Sequence, residues 1–184
     1  FHGTPVDPAT GGTTASVLAN DTLSGVTPAP AGAVVLTLVG APAGYAINAD
    51  GTLSVPAGAA AGVVLFAYRL CEAAAPANCS SAQVRIVVRP EADDDTVSTP
   101  PGQPVSDSVA IGDNVPPGAR FRLLSALPGL VFNLDGSFVY TSPPGVAGTL
   151  SFTYEACLPP PDDAVCDTAE VFINVSATPG QLVA

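Results

Sequence analysis

The apolar residues of this 184-residue chain fall in short runs with a period of two. In Leu150-Ser151-Phe152-Thr153-Tyr154-Glu155 every second residue is apolar, so Leu150, Phe152 and Tyr154 point to one side of an extended chain and Ser151, Thr153 and Glu155 to the other. Val64, Phe66 and Tyr68 form the same set earlier in the chain. Val84, Ile86 and Val88, with Gln83 and Arg85 facing away, read as a further strand. Runs at residues 34–39, 63–70, 84–88, 121–124, 138–140, 150–154 and 171–175 are rich in β-branched and aromatic residues, and clusters of Pro, Gly, Asp and Asn separate them. The pattern predicts strands and turns throughout and no long helix.

The pattern also repeats. Asn48-Ala49-Asp50-Gly51 returns as Asn133-Leu134-Asp135-Gly136, Phe66-Ala67-Tyr68 as Phe152-Thr153-Tyr154, Cys71 and Cys79 as Cys157 and Cys166, and Val84, Ile86 and Val88 as Val171, Ile173 and Val175. Upstream, Val17-Leu18-Ala19-Asn20-Asp21 aligns with Val109-Ala110-Ile111-Gly112-Asp113, which leaves the first copy about seven residues longer before its Asp-Gly turn, an insertion suited to a surface loop. Such a repeat signifies tandem modules. Each copy has about 85–90 residues and room for about seven strands, the size of an immunoglobulin-type sandwich. The expected fold is therefore all-β: two tandem immunoglobulin-like antiparallel β-sandwich domains, at residues 1–89 and 90–176, with 177–184 as a C-terminal tail or linker. The junction, Arg89-Pro90-Glu91-Ala92-Asp93-Asp94-Asp95, is polar and contains proline, as a short linker would.

Composition sharpens this picture. The chain has 20 Pro, 18 Gly, no Met and no Trp, and only 11% of its residues are charged, against roughly 25% in an average globular domain. Each cysteine pair lies between the Phe-x-Tyr strand and the final strand of its copy, with seven residues between Cys71 and Cys79 and eight between Cys157 and Cys166. That spacing sets each pair across the mouth of the last hairpin, within disulfide reach. A bridge closing so small a loop stabilises a fold by roughly 2–3 kcal/mol in the chain-entropy model. A zinc site would need four ligands at CxxC-like spacing, which neither pair has. Disulfides Cys71–Cys79 and Cys157–Cys166 point to an oxidising, extracellular setting. No secretion signal, transmembrane run or lipid-attachment motif is evident, as expected of a mature product or a window from a longer chain.

The residue inventory argues against chemistry. The sole histidine, His2, lies at a terminus, and the chain contains no lysine, so acid–base triads, Schiff bases and P-loop phosphate binding have no support. The 16 acidic residues could supply a carboxylate pair, but with aromatics at 6% no sugar-stacking cleft is visible. The expectation is a protein that is not an enzyme, with no catalytic residue, no cofactor and no assigned metal. A formal net charge of −11 repels a phosphate backbone, and neither nucleic acid nor membrane insertion is expected. Asp93-Asp94-Asp95, with Asp21, Asp113 and Asn114 in preceding loops, could contribute oxygens to calcium; without a DxDxDG pattern the run reads as a solvated spacer, and no calcium is assigned.

Residues 7–23, the Asn-Ala-Asp-Gly-Thr-Leu stretch at 48–53 and Cys71-Glu72 to Pro76-Ala77-Asn78-Cys79 resemble bacterial Ig-like or cadherin-like tandem repeats of secreted surface proteins. Asp-Gly-Ser-Phe-Val-Tyr at 135–140, Phe152-Thr153-Tyr154 and Val165-Cys166-Asp167-Thr168-Ala169 resemble a sister subclass. The resemblance spans residues 6–175. It implies an extracellular location at the bacterial cell surface and a role as a stalk, adhesin or filament module. Two functions follow as expectations: a structural repeat subunit of a filament or surface stalk, whose partners are other copies of itself or neighbouring repeats of a longer chain, and an adhesin binding a carbohydrate or protein through its loops. For the first, the outward apolar residues Phe172 and Val87 and the end segments are the expected contacts, with strand addition by a terminal segment as the route. The assembly residues are Phe1, Val6, Phe172, Leu182 and Val183.

Overall fold

A computed structural model describes residues 4–176, which divide into two compact units on either side of the Arg89–Pro90 junction. The first contains β1 (Gly12–Thr13), β2 (Val34–Val39), β3 (Ala46–Ile47), β4 (Leu53–Val55), β5 (Gly62–Glu72) and β6 (Cys79–Val88). Its strands form two sheets, in the orders β1-β4-β3 and β2-β5-β6. Leu53, Val55, Phe66, Tyr68, Val84, Ile86 and Val88 from the two sheets form one core with Val17 from the crossing segment, residues 16–21, whose counterpart in the second unit is 108–113. This is a β-sandwich, because each sheet hides the alternate residues of its strands against the other.

The second unit contains β7 (Asp95–Thr99), β8 (Pro104–Ser108), β9 (Arg120–Leu123), β10 (Leu130–Phe132), β11 (Ser137–Thr141), β12 (Gly148–Cys157) and β13 (Cys166–Val175). Its sheets are ordered β10-β11-β8 and β7-β13-β12-β9. The core is more aromatic than in the first unit. Phe152 packs edge-on against Phe132 and Phe138, with ring centroids 5.9 and 5.2 Å apart, and Phe121 lies 6.3 Å from Tyr154. In the first unit Phe66 has one such neighbour, Tyr45 at 5.9 Å.

The pairing departs from a purely antiparallel sandwich in one respect. β7 runs parallel to β13, with Thr99 opposite Val175, and in the first unit Val6 bridges Val88 in the same parallel sense. The chain enters each unit beside the strand by which it leaves, and both run in the same direction. The periodicity of the entering segments could not reveal this, because it marks which face is buried and not which neighbour is paired.

The entry segment bears on the expected assembly residues. Val6 is only 7% exposed, its N–H donates to Val87 O at 2.9 Å, and its carbonyl accepts from Arg89 N at 2.8 Å. It is therefore engaged within its own unit, and strand exchange through it would break both bonds. Val87, read as outward from its alternation, is 6% exposed, since the entering chain runs along this end of β6. Phe1, Leu182 and Val183 lie outside the described residues.

Candidate functional site

The hairpins that carry the cysteines are the most regular parts of each unit. β5 and β6 pair in unbroken register from Gly62 opposite Val88 to Cys71 opposite Cys79, and β12 and β13 from Gly148 opposite Val175 to Cys157 opposite Cys166. The cysteines are the last facing pair in each ladder. Both disulfides are formed, with Cα atoms 4.1 and 4.0 Å apart. Beyond the first bridge, Glu72 and Asn78 close the tip through the Glu72 N–H to Asn78 O bond at 2.9 Å and the Asn78 Nδ2 to Glu72 Oε2 bond at 3.0 Å. At the second tip Leu158 N–H donates to Val165 O at 3.0 Å. Glu155 lies near Cys157 and Cys166, but the two sulfurs are bonded to each other and one carboxylate oxygen pairs with Arg122, so no thiolate is left there for a metal.

A second duplicated device holds the crossing segment of each unit. In the Asn-x-Asp-Gly turn the Asp50 carboxylate accepts from Thr52 N–H at 2.9 Å and Thr52 Oγ1 at 2.7 Å, and Asp135 accepts from Ser137 N–H at 3.0 Å and Ser137 Oγ. These bonds hold both carboxyls below the ordinary Asp range. The following glycines have φ of +83° and +85°. A Cβ on Gly51 would collide with Ser16 Oγ and stand 2.8 Å from Leu18 Cγ. Only glycine lets the turn lie this close to the crossing segment. In return the turn carbonyls receive the segment's N–H groups, Val17 N to Gly51 O at 2.9 Å and Val109 N to Gly136 O at 3.0 Å.

The same segment supplies an aspartate to a buried tyrosine. Tyr68 donates its hydroxyl to Asp21 Oδ2 at 2.7 Å, and Tyr154 donates to Asp113 Oδ2 at 3.0 Å. Both phenols are driven upward, first by burial and then by the adjacent carboxylate, and stay protonated donors. The alignment of the two copies had already matched Asp21 with Asp113 and Tyr68 with Tyr154, but nothing in the sequence indicated that the members of each pair touch. They are 47 and 41 residues apart.

The acidic run takes a structural part in the second unit. Asp94 Oδ1 accepts from Glu170 N–H at 2.9 Å, Asp93 N–H donates to Asp113 Oδ1 at 2.9 Å, and Ala92 N–H donates to Asp167 Oδ2 at 3.0 Å. The entering chain is thus tied to β13 and the crossing loop by carboxylate bonds on both sides. Asp95 differs from its neighbours. Its Oδ2 is buried without a hydrogen-bond partner, and burial, followed by the charges of Asp113, Asp107, Asp93 and Asp94, pushes its carboxyl up to about 6. Asp113 is raised too, by burial first, against the lowering effect of its bonds from Asp93 and Tyr154.

The outer faces of the equivalent sheets are not alike. By alternation, β2 turns Val35 and Val39 outward and β5 turns Val63 and Leu65 outward, and these are 55%, 51%, 43% and 67% exposed. The positions on β12 that match Val63, Leu65, Ala67 and Arg69 are Thr149, Ser151, Thr153 and Glu155. Phe172 lies mid-sheet between Ser151 and Thr96, half-buried, and is the described assembly residue whose side chain faces outward. Charge divides similarly. Residues 1–89 hold three arginines and four acids; residues 90–184 hold two arginines and twelve acids.

Two disulfide-tied sandwiches, each with a parallel entry strand or bridge and a tyrosine anchored to the crossing segment, define the class as immunoglobulin-like. Residues 88–174, the span of the second unit, match the model of the bacterial Ig domain family. The match supports a structural or adhesion-type module in the second unit, a class of domain that is typically extracellular, and the disulfides of both units fit that setting. No curated protein matches the chain. Among solved structures it is similar to Drosophila OTK extracellular domains 3–5 (12% identity, 96% of this chain and 60% of that one, TM-score 0.42) and human Protocadherin-24 EC1-2 (12%, 96% and 94%, 0.36). It is also similar to the endo-fucoidan hydrolase MfFcnA4 from glycoside hydrolase family 107 (19%, 80% of this chain, 0.39), of whose length it spans 24%. At these scores no activity passes from them to this chain. No helix among the described residues is long and apolar enough to cross a membrane.

Proposed function

We propose that this chain is a structural repeat segment of a bacterial surface filament or stalk, that it works outside the cell, and that it performs no catalysis. What supports this reading is the duplicated framework. Disulfide, Asp-Gly turn and Tyr–Asp anchor recur in both units, each made from residues that hold a sandwich together. Ionisable groups that would be candidates for chemistry are occupied in these contacts. Asp21 and Asp113 receive tyrosine hydroxyls, Asp94 and Asp167 receive backbone N–H groups, and Glu155 holds Arg122. The partners in this reading are further copies of the chain or neighbouring repeats of a longer one. Electron microscopy of the purified, oxidised protein tests it: regular fibres are expected, and dispersed short rods at every concentration would favour a loop-binding adhesin instead.

A further inference from the structure

We propose that the groove of the first unit between the end of the crossing segment and the start of β6 is a socket for residues 178–180 of a second copy of this chain. The inference rests on the filament reading and names the contact that would join the copies. The groove measures about 180 Å³, and Asp21, Thr22, Tyr68, Ser80 and Ala82 are among the residues that line it. Their counterparts in the second unit are Asp113, Asn114, Tyr154, Asp167 and Ala169, and there residues 91–93 of the entering chain occupy the place. Glu91 and Asn114 exchange backbone N–H to carbonyl bonds of 3.1 and 2.9 Å, Ala92 N–H donates to Asp167 Oδ2, and Asp93 N–H donates to Asp113 Oδ1. The Asp93 carbonyl lies 3.1 Å from the Tyr154 hydroxyl. The occupant makes all of these contacts with its backbone, so the place selects an extended chain rather than particular side chains.

The first unit keeps the receiving groups without an occupant. The backbone N–H and carbonyl of Thr22, and Asp21 Oδ1, have no hydrogen-bond partner among the described residues. The repeat indicates what fits them. Residues 91–93 stand three to five positions after Val88, the last residue of β6; three to five positions after Val175, the last residue of β13, stand Thr178, Pro179 and Gly180. Thr178 takes the place of Glu91 and can exchange both backbone bonds with Thr22. Gly180 takes the place of Asp93, with its N–H for Asp21 and its carbonyl beside Tyr68. Pro179, which has no N–H, falls at Ala92, and the carboxylate that receives the Ala92 N–H, Asp167, is Ser80 in the first unit. The donor missing from the segment is thus the one that the socket does not require. The groove lining holds one acid and no base, and residues 176–184 carry no charged side chain, so no like charge is brought beside Asp21. Because the socket and the segment belong to different units, the contact is head-to-tail and, where its rotation does not close a ring, it propagates into a filament.

The test uses the full-length oxidised chain and a fluorescently labelled peptide of residues 176–184, read by anisotropy and by fibre length in electron microscopy. The peptide in excess is expected to bind saturably and to shorten the fibres. Ala82→Arg, at an exposed position, should leave melting unchanged and weaken peptide binding by at least about tenfold, because the longer side chain fills the groove. Within the peptide, Gly180→Pro removes the N–H meant for Asp21 and should weaken binding by about tenfold, while Pro179→Ala should change it by no more than about twofold. Equal effects of these two peptide substitutions would overturn the assignment, since its register requires them to differ. A peptide that does not bind, or whose binding Ala82→Arg leaves unchanged, would overturn the socket while fibres of the parent chain keep the filament reading. Saturable, Ala82-dependent binding to a chain that forms no fibres would support the socket and remove the filament reading.

Discussion

The two units solve the same folding problem with different interiors and different exteriors. The first has a largely aliphatic core, an apolar outer sheet face and near-balanced charge. The second has a core of interlocking rings, a polar outer face and most of the acids. What they share is the set of fixed points: the disulfide at the hairpin mouth, the Asp-Gly turn and the tyrosine held by the crossing segment. The comparison shows which residues the fold requires and which are left to set contacts with other molecules.

The sharpest way to separate the two cores is to remove the equivalent phenylalanines. Phe152→Ala, taking out a 1% exposed ring with two edge-on partners, is expected to cost about 4–5 kcal/mol, and Phe66→Ala, with one ring partner, about 3 kcal/mol. Hydrogen exchange read unit by unit would check the ranking, and equal losses would mean that the aromatic cluster adds nothing beyond its area. Next in size, replacing Cys71 and Cys79, or Cys157 and Cys166, by serine should destabilise only the unit concerned, by roughly 2–3 kcal/mol. Cooperative loss of both units from one pair would contradict their description as separately stabilised sandwiches.

Smaller again are the tyrosine anchors. Tyr68→Phe and Tyr154→Phe each leave a part-buried carboxylate without its donor and should cost about 1–2 kcal/mol in melting or denaturant unfolding. The cost should be larger for Tyr68, because Asp113 keeps a second bond from Asp93 N–H. The smallest expected difference is in pH. Asp95 has its folded carboxyl pushed up to about 6 from an ordinary 3.8, so its charged form burdens the second unit above that value. Stability should rise modestly as pH falls through 6 towards the ordinary range, and then decline in both units as Asp50 and Asp135, whose carboxyls are lowered, become protonated. Asp95→Asn should flatten the rise between about pH 7 and pH 5 in the second unit, and a parent protein without such a rise would show that the buried Oδ2 carries no penalty.

Much of this architecture could be read before any coordinates. Strands β2, β5, β6, β9, β11, β12 and β13 contain the apolar runs, since a half-buried strand must alternate. The cysteines stand opposite each other where hairpin spacing put them. The missed strands are short or polar. β7 reads Asp-Thr-Val-Ser-Thr and β8 reads Pro-Val-Ser-Asp-Ser, each with one strongly apolar residue, too few for a period to register. Val87 reads as outward because alternation assigns a side and knows nothing of a chain that later lies across it, and Val6 reads as available because it lies in an end segment outside the repeat, whose pairing with the last strand of its own unit no local pattern shows.

The sequence by itself determined the strand faces, the turn glycines and the disulfide partners, because each depends on spacings of a few residues, and it determined the repeat, because those same local patterns recur in order along the chain. Only the tertiary structure decided that the entering segment pairs in parallel with the exiting strand, that Asp21 and Asp113 meet tyrosines more than 40 residues away, and that one carboxylate oxygen of Asp95 is enclosed. These are contacts between segments whose separation is set by how two sheets stack. A local period fixes which way a side chain points, while its partner is fixed by what the rest of the fold brings to that side.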